Sequence, residues 1–276
     1  MNLYVHEVGP STSPTIVLLH GGGAGGWMWQ PQVEKLSREY HCLVPDLPEH
    51  GKSIDIGPIT IPGSADLVAD LIRTRAHGGK AHVVGLSLGA QVTVALLGIA
   101  SELVDHAIVS SASLRPVLPG NWMYSKGMMR AVYWSSIAPF QKWDAYIRLN
   151  MKYAAGIPDQ YFPYFRESFR QYTANAWANL MAANMGYRLP SGLERANCPV
   201  LVIVGQKEYA SMQQSARDLL SVLPNAAGYT VAHAEKWSMV EEHNWSLKAP
   251  ELFTKTVKSW IEDEQLPEQL VPLRDR

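Results

Sequence analysis

Short apolar runs recur along this chain and alternate with longer stretches in which apolar residues fall at helical spacing. Thr15 to Leu19, His41 to Pro45, the run from Ala81 that ends on Gly85 to Gly89, Val104 to Ser110 and Pro199 to Gly205 read as buried strands. Leu3 to Val8 alternates apolar and polar, as a half-exposed edge strand does, and Gly228 to Ala232 reads as a further strand. Trp29 to Arg38, Ala65 to Arg75, Met212 to Val222 and about Pro250 to Ile261 read as helices. Ser64 is the expected cap of the second, whose apolar face holds Leu67, Val68, Leu71 and Ile72. Strands alternating with helices predict the α/β class, with a mostly parallel, doubly wound sheet flanked by helices.

The alternation stops at Leu114. From there to Pro190 no β-like run occurs, and more than half of the chain's aromatic residues and methionines stand in this stretch at helical spacing. A helical insertion at 114–190 is therefore expected, interrupting a core of 1–113 and 191–263. Most of its aromatic residues would form the insertion's own small core. A minority, Trp122, Met123, Met128, Met129, Tyr133 and Trp134, are candidates to line an apolar pocket. The polar, proline-broken tail from Glu262, with 264–276 beyond the last helix, is expected to pack loosely.

Charge narrows the function without naming it. Lysine plus arginine number 24 and aspartate plus glutamate 25, so the overall balance calls for neither nucleic acid nor an anionic membrane. The insertion is locally basic, with acids only at Asp144, Asp159 and Glu167; a solvated face or an anionic substrate group would each account for this. The two cysteines, Cys42 and Cys198, sit in or beside apolar runs and read as buried free thiols. No apolar run approaches the roughly 18 residues of a membrane span, and the N-terminus lacks the basic and apolar regions of a signal peptide, so a cytoplasmic protein is expected.

The chemistry centres on Gly85-Leu86-Ser87-Leu88-Gly89, where a buried strand passes at once into a buried helix. Glycines on both sides permit the sharp reversal, which sets the Ser87 hydroxyl at the apex with the first helical amides behind it. This G-x-S-x-G nucleophile elbow resembles that of the α/β-hydrolase family. The resemblance extends to three further motifs in order. His20-Gly21-Gly22, followed by Trp27, looks like the family's oxyanion loop; Asp46 to Ser53 looks like its D-x-x-G-H-G-x-S segment, with Glu49 in place of the first glycine. Gly205-Gln206-Lys207-Glu208 matches G-x-x-D with a glutamate in the aspartate's position.

That resemblance implies an α/β-hydrolase fold with a helical cap. It further implies Ser87 as nucleophile, Glu208 as acid, and the amides of Gly22 and Leu88 as oxyanion donors. For the base, His243 has the family's spacing of seven residues before Pro250, while His233, at the end of the last strand, is the alternative. Asp46 and His50 are expected to brace the loop rather than to react, and the substitution at Glu49 to affect only its backbone angles. The expected activity is that of a carboxylesterase acting on small to medium esters with an apolar group. Carbon–carbon bond hydrolysis, lactone hydrolysis, a lyase or acyltransferase activity, and a non-catalytic small-molecule receptor are the alternatives that the same fold allows. No cofactor is implied, and no H-E-x-x-H or cysteine–histidine cluster has the spacing of a metal site. A small-molecule substrate is the expected partner, with a monomer and a homodimer both open.

Overall fold

The computed structural model describes residues 2–116, 125–231 and 237–273. Eight strands form one sheet in the order β1-β3-β2-β4-β5-β6-β7-β8. The central strands β2 (Thr15–Leu19), β3 (His41–Pro45), β4 (Ala81–Leu86), β5 (Val104–Ser110), β6 (Val200–Gly205) and β7 (Ala226–Val231) run parallel. The edge strands β1 (Val5–Val8) and β8 (Leu270–Pro272) are antiparallel to their neighbours. Every residue of β2, β3, β4 and β6 is buried, which is why these segments read as apolar runs, whereas β1 shows exposed polar positions and β5 exposes Asp105 near its start.

The helices that link the strands cover the sheet. Those of the core are α1 (Gln30–Leu36), α2 (Ile61–Arg75), α3 (Leu88–Ala100), α8 (Ala210–Val222), α9 (Met239–His243), α10 (Trp245–Lys248) and α11 (Pro250–Ile261). Nearly all of α3 is buried, because α2 packs over it while β4 and β5 lie beneath. The ring of Trp29 lies 5.4 Å from that of Phe253, joining the start of α1 to α11. Thr60, not Ser64, caps α2: Pro62 admits the helix a turn earlier, and the Thr60 hydroxyl accepts from the Gly63 amide. The tail also differs from expectation. Leu270–Pro272 pairs with β7, whose outer edge would otherwise leave its backbone groups unpaired, and proline is tolerated on such an edge strand.

Between β5 and β6 the insertion supplies α4 (Lys126–Val132), α5 (Asp144–Asn150), α6 (Phe162–Gln171) and α7 (Ala174–Gly186). Wider turns extend α4 over Tyr133–Ile137 and α5 over Met151–Ala155. Phe162, Phe165 and Phe169 bury one stripe of α6, and α4 packs on α7. Met129 and Tyr133 belong to this small core, the Tyr133 hydroxyl donating to the Tyr172 carbonyl at 2.8 Å. Met128 and Trp134 face outward, with 38% and 65% exposure, because the buried face of α4 is turned to α7. Trp122 and Met123 lie outside the described residues.

Steric limits in the core are sharpest at Gly89, where a Cβ would come 2.1 Å from the Leu19 carbonyl oxygen. Gly89→Ala is expected to push α3 off β2 and to lower the unfolding free energy by about 1–3 kcal/mol or more. Gly127→Ala in α4, where a Cβ meets nothing within 4 Å, is expected to leave stability level or raise it by up to about 1 kcal/mol. Urea denaturation of the two variants beside the wild type checks both signs.

Candidate active site

At the carboxyl end of β4 the chain reverses through Ser87, whose φ of 56° and ψ of −112° are strained for a residue with a side chain. The turn closes this tightly because Gly85 and Gly89 touch: a Cβ on Gly85 would stand 2.3 Å from the Gly89 carbonyl oxygen. The Ser87 amide donates to the Ser110 carbonyl at 2.9 Å, so β5 holds the strained residue from the side. Ser87 is only partly buried, while Leu86 and Leu88 on either side of it are fully enclosed.

Opposite the turn, β6 ends at Gly205 and delivers Glu208 into the interior, 4% exposed. Its two carboxylate oxygens are both engaged. Oε2 accepts from the Gly205 amide at 2.8 Å and from the Ser111 hydroxyl at 3.0 Å; Oε1 faces Nδ1 of His243 at 2.5 Å. His243 is the last residue of α9, a helix started by a capping box of Ser238 and Glu241. His233, the alternative base, lies outside the described residues.

Two neighbours of this pair carried no recognisable sequence signal. Ser111, held at φ 59°, gives Glu208 a hydrogen bond at a position where the sequence offered no acid. Glu242, 1% exposed, accepts from the Lys207 amide at 2.6 Å and so fixes the loop that carries Glu208. Burial is the largest influence pushing the Glu242 carboxyl above its ordinary range, with Glu208 adding to it and Lys207 opposing.

The glycine-rich loop after β2 is tied down from three sides. The Gly21 amide donates to Met28 Sδ at 3.2 Å, the Gly23 amide to His50 Nε2 at 3.2 Å and the Gly26 amide to Asp46 Oδ1 at 2.7 Å. The amides of Gly22 and Leu88 find no protein acceptor among the described residues. These two residues are adjacent, since a Cβ on Gly22 would lie 3.7 Å from Leu88 Cβ. Asp46 and His50 thus act as braces, as expected. Glu49 does more than bend the backbone at φ 60°. Its carboxylate accepts from the Ile59 amide at 3.0 Å and from Asn179 Nδ2 at 2.9 Å, linking the loop to α7 of the insertion.

Ser87, Gly22 and His243 line one cavity of about 160 Å³, roofed by Ala154, Ile157 and Phe165. Neither Met129 nor Tyr133, nor the exposed Met128 and Trp134, lines it; the turn Met151–Ala155 and α6 occupy the place expected of α4. A larger cavity of about 620 Å³ lies on the other side of the glycine loop, between Trp27, Lys52 and Tyr164, and Ser87 is not among its walls. The side chains around Ser87 engage one another; among the described residues the three-ligand cluster of metal-binding type lies elsewhere in the fold.

The parallel sheet, the reversal at Ser87 and the insertion after β5 together define a capped α/β domain with its polar groups gathered at the carboxyl ends of the strands. The chain belongs to the alpha/beta hydrolase family, whose model matches residues 16–247. It is 28% identical over 264 residues to an AB hydrolase superfamily protein of Gibberella zeae, covering 92% of this chain and 82% of that one. It is 24% identical over 261 residues to the 2-hydroxy-6-oxo-6-(2'-aminophenyl)hexa-2,4-dienoic acid hydrolase of Metapseudomonas resinovorans, covering 89% and 83%. Among solved structures, an esterase from Exiguobacterium antarcticum shares the fold with a TM-score of 0.73 at 17% identity, covering 94% and 95%. No helix among the described residues is long and apolar enough to cross a membrane.

The braces set a pH limit on the fold. His50 accepts through Nε2 and donates through Nδ1–H to the Pro48 carbonyl, and His20 likewise accepts from the Leu47 amide and donates to the Gly21 carbonyl, so both rings are neutral. Burial pushes His50 down to about 3 from an ordinary 6.5, and burial also lowers His20. Below about pH 6.5 the unfolded chain binds protons that these rings do not, so stability is complete above that pH and falls as pH drops toward 4. The slope is up to about 1.4 kcal/mol per pH unit for each histidine. Urea midpoints between pH 7.5 and 4.5 are expected to fall, and to fall less steeply in His50→Gln; a flat wild-type profile would contradict the assignment.

Proposed function

We propose that this α/β hydrolase cleaves small carboxylic esters through an acyl-enzyme on Ser87, without a cofactor. The observation that carries the reading is the buried Glu208 set 2.5 Å from His243 Nδ1, with His243 and the strained Ser87 on one cavity wall. With Nδ1 committed to Glu208, Nε2 is the ring nitrogen left to take the Ser87 proton. Oγ then attacks the carbonyl carbon, and the charge forming on the carbonyl oxygen meets the two unengaged amides of Gly22 and Leu88. The His243 imidazolium, stabilised by Glu208, returns the proton to the departing alkoxide. Water, activated by the same ring, releases the acid and restores Ser87.

The substrate class follows from the walls. Ala154, Ile157 and Phe165 are apolar and the space is about 160 Å³, which favours a short acyl chain. The names of similar proteins include esterases, a dienoic acid hydrolase and an enol-lactonase, so the site is the better guide to the bond cleaved. An ester asks of it a proton for the alkoxide and two donors for the oxyanion, and these groups stand together here.

A series of p-nitrophenyl esters from acetate to octanoate tests the proposal. Acetate and butyrate are expected to be the better substrates. Ser87→Ala and His243→Ala should each lose roughly 10⁶-fold in kcat, and Glu208→Gln roughly 10⁴-fold. A Ser87→Ala variant that still turns over would sink the nucleophile assignment. A wild type inert to the whole series would instead point to lactone or carbon–carbon bond cleavage.

A further inference from the structure

At the opposite end of the sheet from Ser87, three side chains of metal-ligand type meet. His82 stands near the start of β4, and Asp105 and His106 near the start of β5. The parallel register slips here: Ala81 pairs with Val104 and Val83 with Ala107, so the single residue His82 faces two residues of β5. Bulges between parallel strands are rare, and they re-aim side chains. Nδ1 of His82 lies 3.6 Å from Asp105 Oδ2, and Nδ1 of His106 lies 3.8 Å from the same oxygen. One ligand atom from each residue falls within 4.8 Å of the others.

Three of the four ring nitrogens in this cluster are buried without a hydrogen-bond partner. His82 is only 5% exposed, yet its Nδ1 is buried without a hydrogen bond, as are both ring nitrogens of His106. Buried polar atoms are paired in the great majority of cases, and leaving one unpaired costs about 1–3 kcal/mol. Two of these nitrogens, one from each ring, face the Asp105 carboxylate, so three ligand-type groups converge on one point. Behind the cluster, the exposed Asp263 carboxylate lies 3.7 Å from His106 Nε2, near it but beyond hydrogen-bond distance.

The geometry points to a divalent transition-metal site of the zinc class, formed by Nδ1 of His82, Nδ1 of His106 and the Asp105 carboxylate, with solvent completing the coordination. Two imidazoles and one carboxylate suit zinc and its neighbours, whereas calcium and magnesium favour oxygen donors. Ligand atoms around a tetrahedral zinc ion are ~3.4 Å apart, given bonds of ~2.1 Å, so the 3.6 and 3.8 Å separations need little closing. The Asp105 side chain is 54% exposed and leaves a route in from solvent. A bound ion would tie β4 to β5 at the ends remote from the reacting groups. It is a structural tie, independent of the role given to Ser87.

Full-length, untagged protein stripped with a chelator and titrated with zinc chloride by calorimetry tests the site, with the melting temperature followed in parallel. One ion per chain and a raised Tm are expected, and cobalt(II) is expected to give visible absorption bands on binding. Asp105→Asn and His106→Gln should each weaken zinc binding by at least about tenfold, while Cys198→Ser leaves it unchanged. Equal affinity in the wild type and Asp105→Asn, an unmoved Tm at saturating zinc, or loss of binding in Cys198→Ser would each overturn the assignment.

Discussion

The backbone reversal at Ser87 is the constraint on which the rest of the structure depends. A fully buried strand and a nearly fully buried helix are joined by one residue at φ 56°, and the join closes only because two glycines remove the atoms that would collide. Gly89 does this twice over, lying against both the turn and the end of β2. The strain is held by packing on every side: α2 above α3, β2 and β5 beside β4, and the Ser110 carbonyl on the Ser87 amide. A strained, accessible hydroxyl is therefore a product of the core and not of the surface loop alone.

Around that turn, buried polar groups set the positions of the loops. Asp46 and His50 take three backbone amides between them, Glu208 takes one and a serine hydroxyl, and Glu242 takes one more. Each of these bonds satisfies a polar group that burial would otherwise penalise, and each also fixes a segment that bears on the cavity. Stability and positioning come from the same contacts, which is why the neutral state of His50 matters to the loop although the ring is placed to touch nothing that reacts.

Much of this was legible in the sequence wherever local pattern and tertiary role agree. Fully buried parallel strands are largely apolar, so β2, β3 and β6 are legible almost to the residue. Motif order and spacing single out Ser87, Glu208 and His243 as candidates, and the fold brings Glu208 and His243 together across 35 residues. The failures share a different cause. Met128 and Trp134 face solvent because the helical phase of α4 is set by α7, which no local pattern encodes. Ser111, Glu242 and the Asn179 contact of Glu49 are single polar residues whose meaning exists only after folding. The tail strand was hidden by its prolines, since what recruits it is the open edge of β7. The His82, Asp105 and His106 cluster has no motif because a register slip between two strands, not spacing along one, assembles it.

The insertion and the histidine are also mechanically joined. Gly156, at φ 65°, closes the turn Met151–Ala155, and a Cβ there would meet the Val240 carbonyl carbon at 2.5 Å. Asn244, next to His243, donates through Nδ2 to the Ala155 carbonyl at 2.5 Å. The roof of the cavity thus rests on α9, the short helix that ends in His243, and α7 is tied through Asn179 to Glu49 beside the glycine loop. The insertion is thus tied to both walls of the cleft. Any shift of the insertion that widened the cavity would act on α9 and on the glycine loop, so the size of the space over Ser87 and the placement of the groups around it depend on the same two contacts.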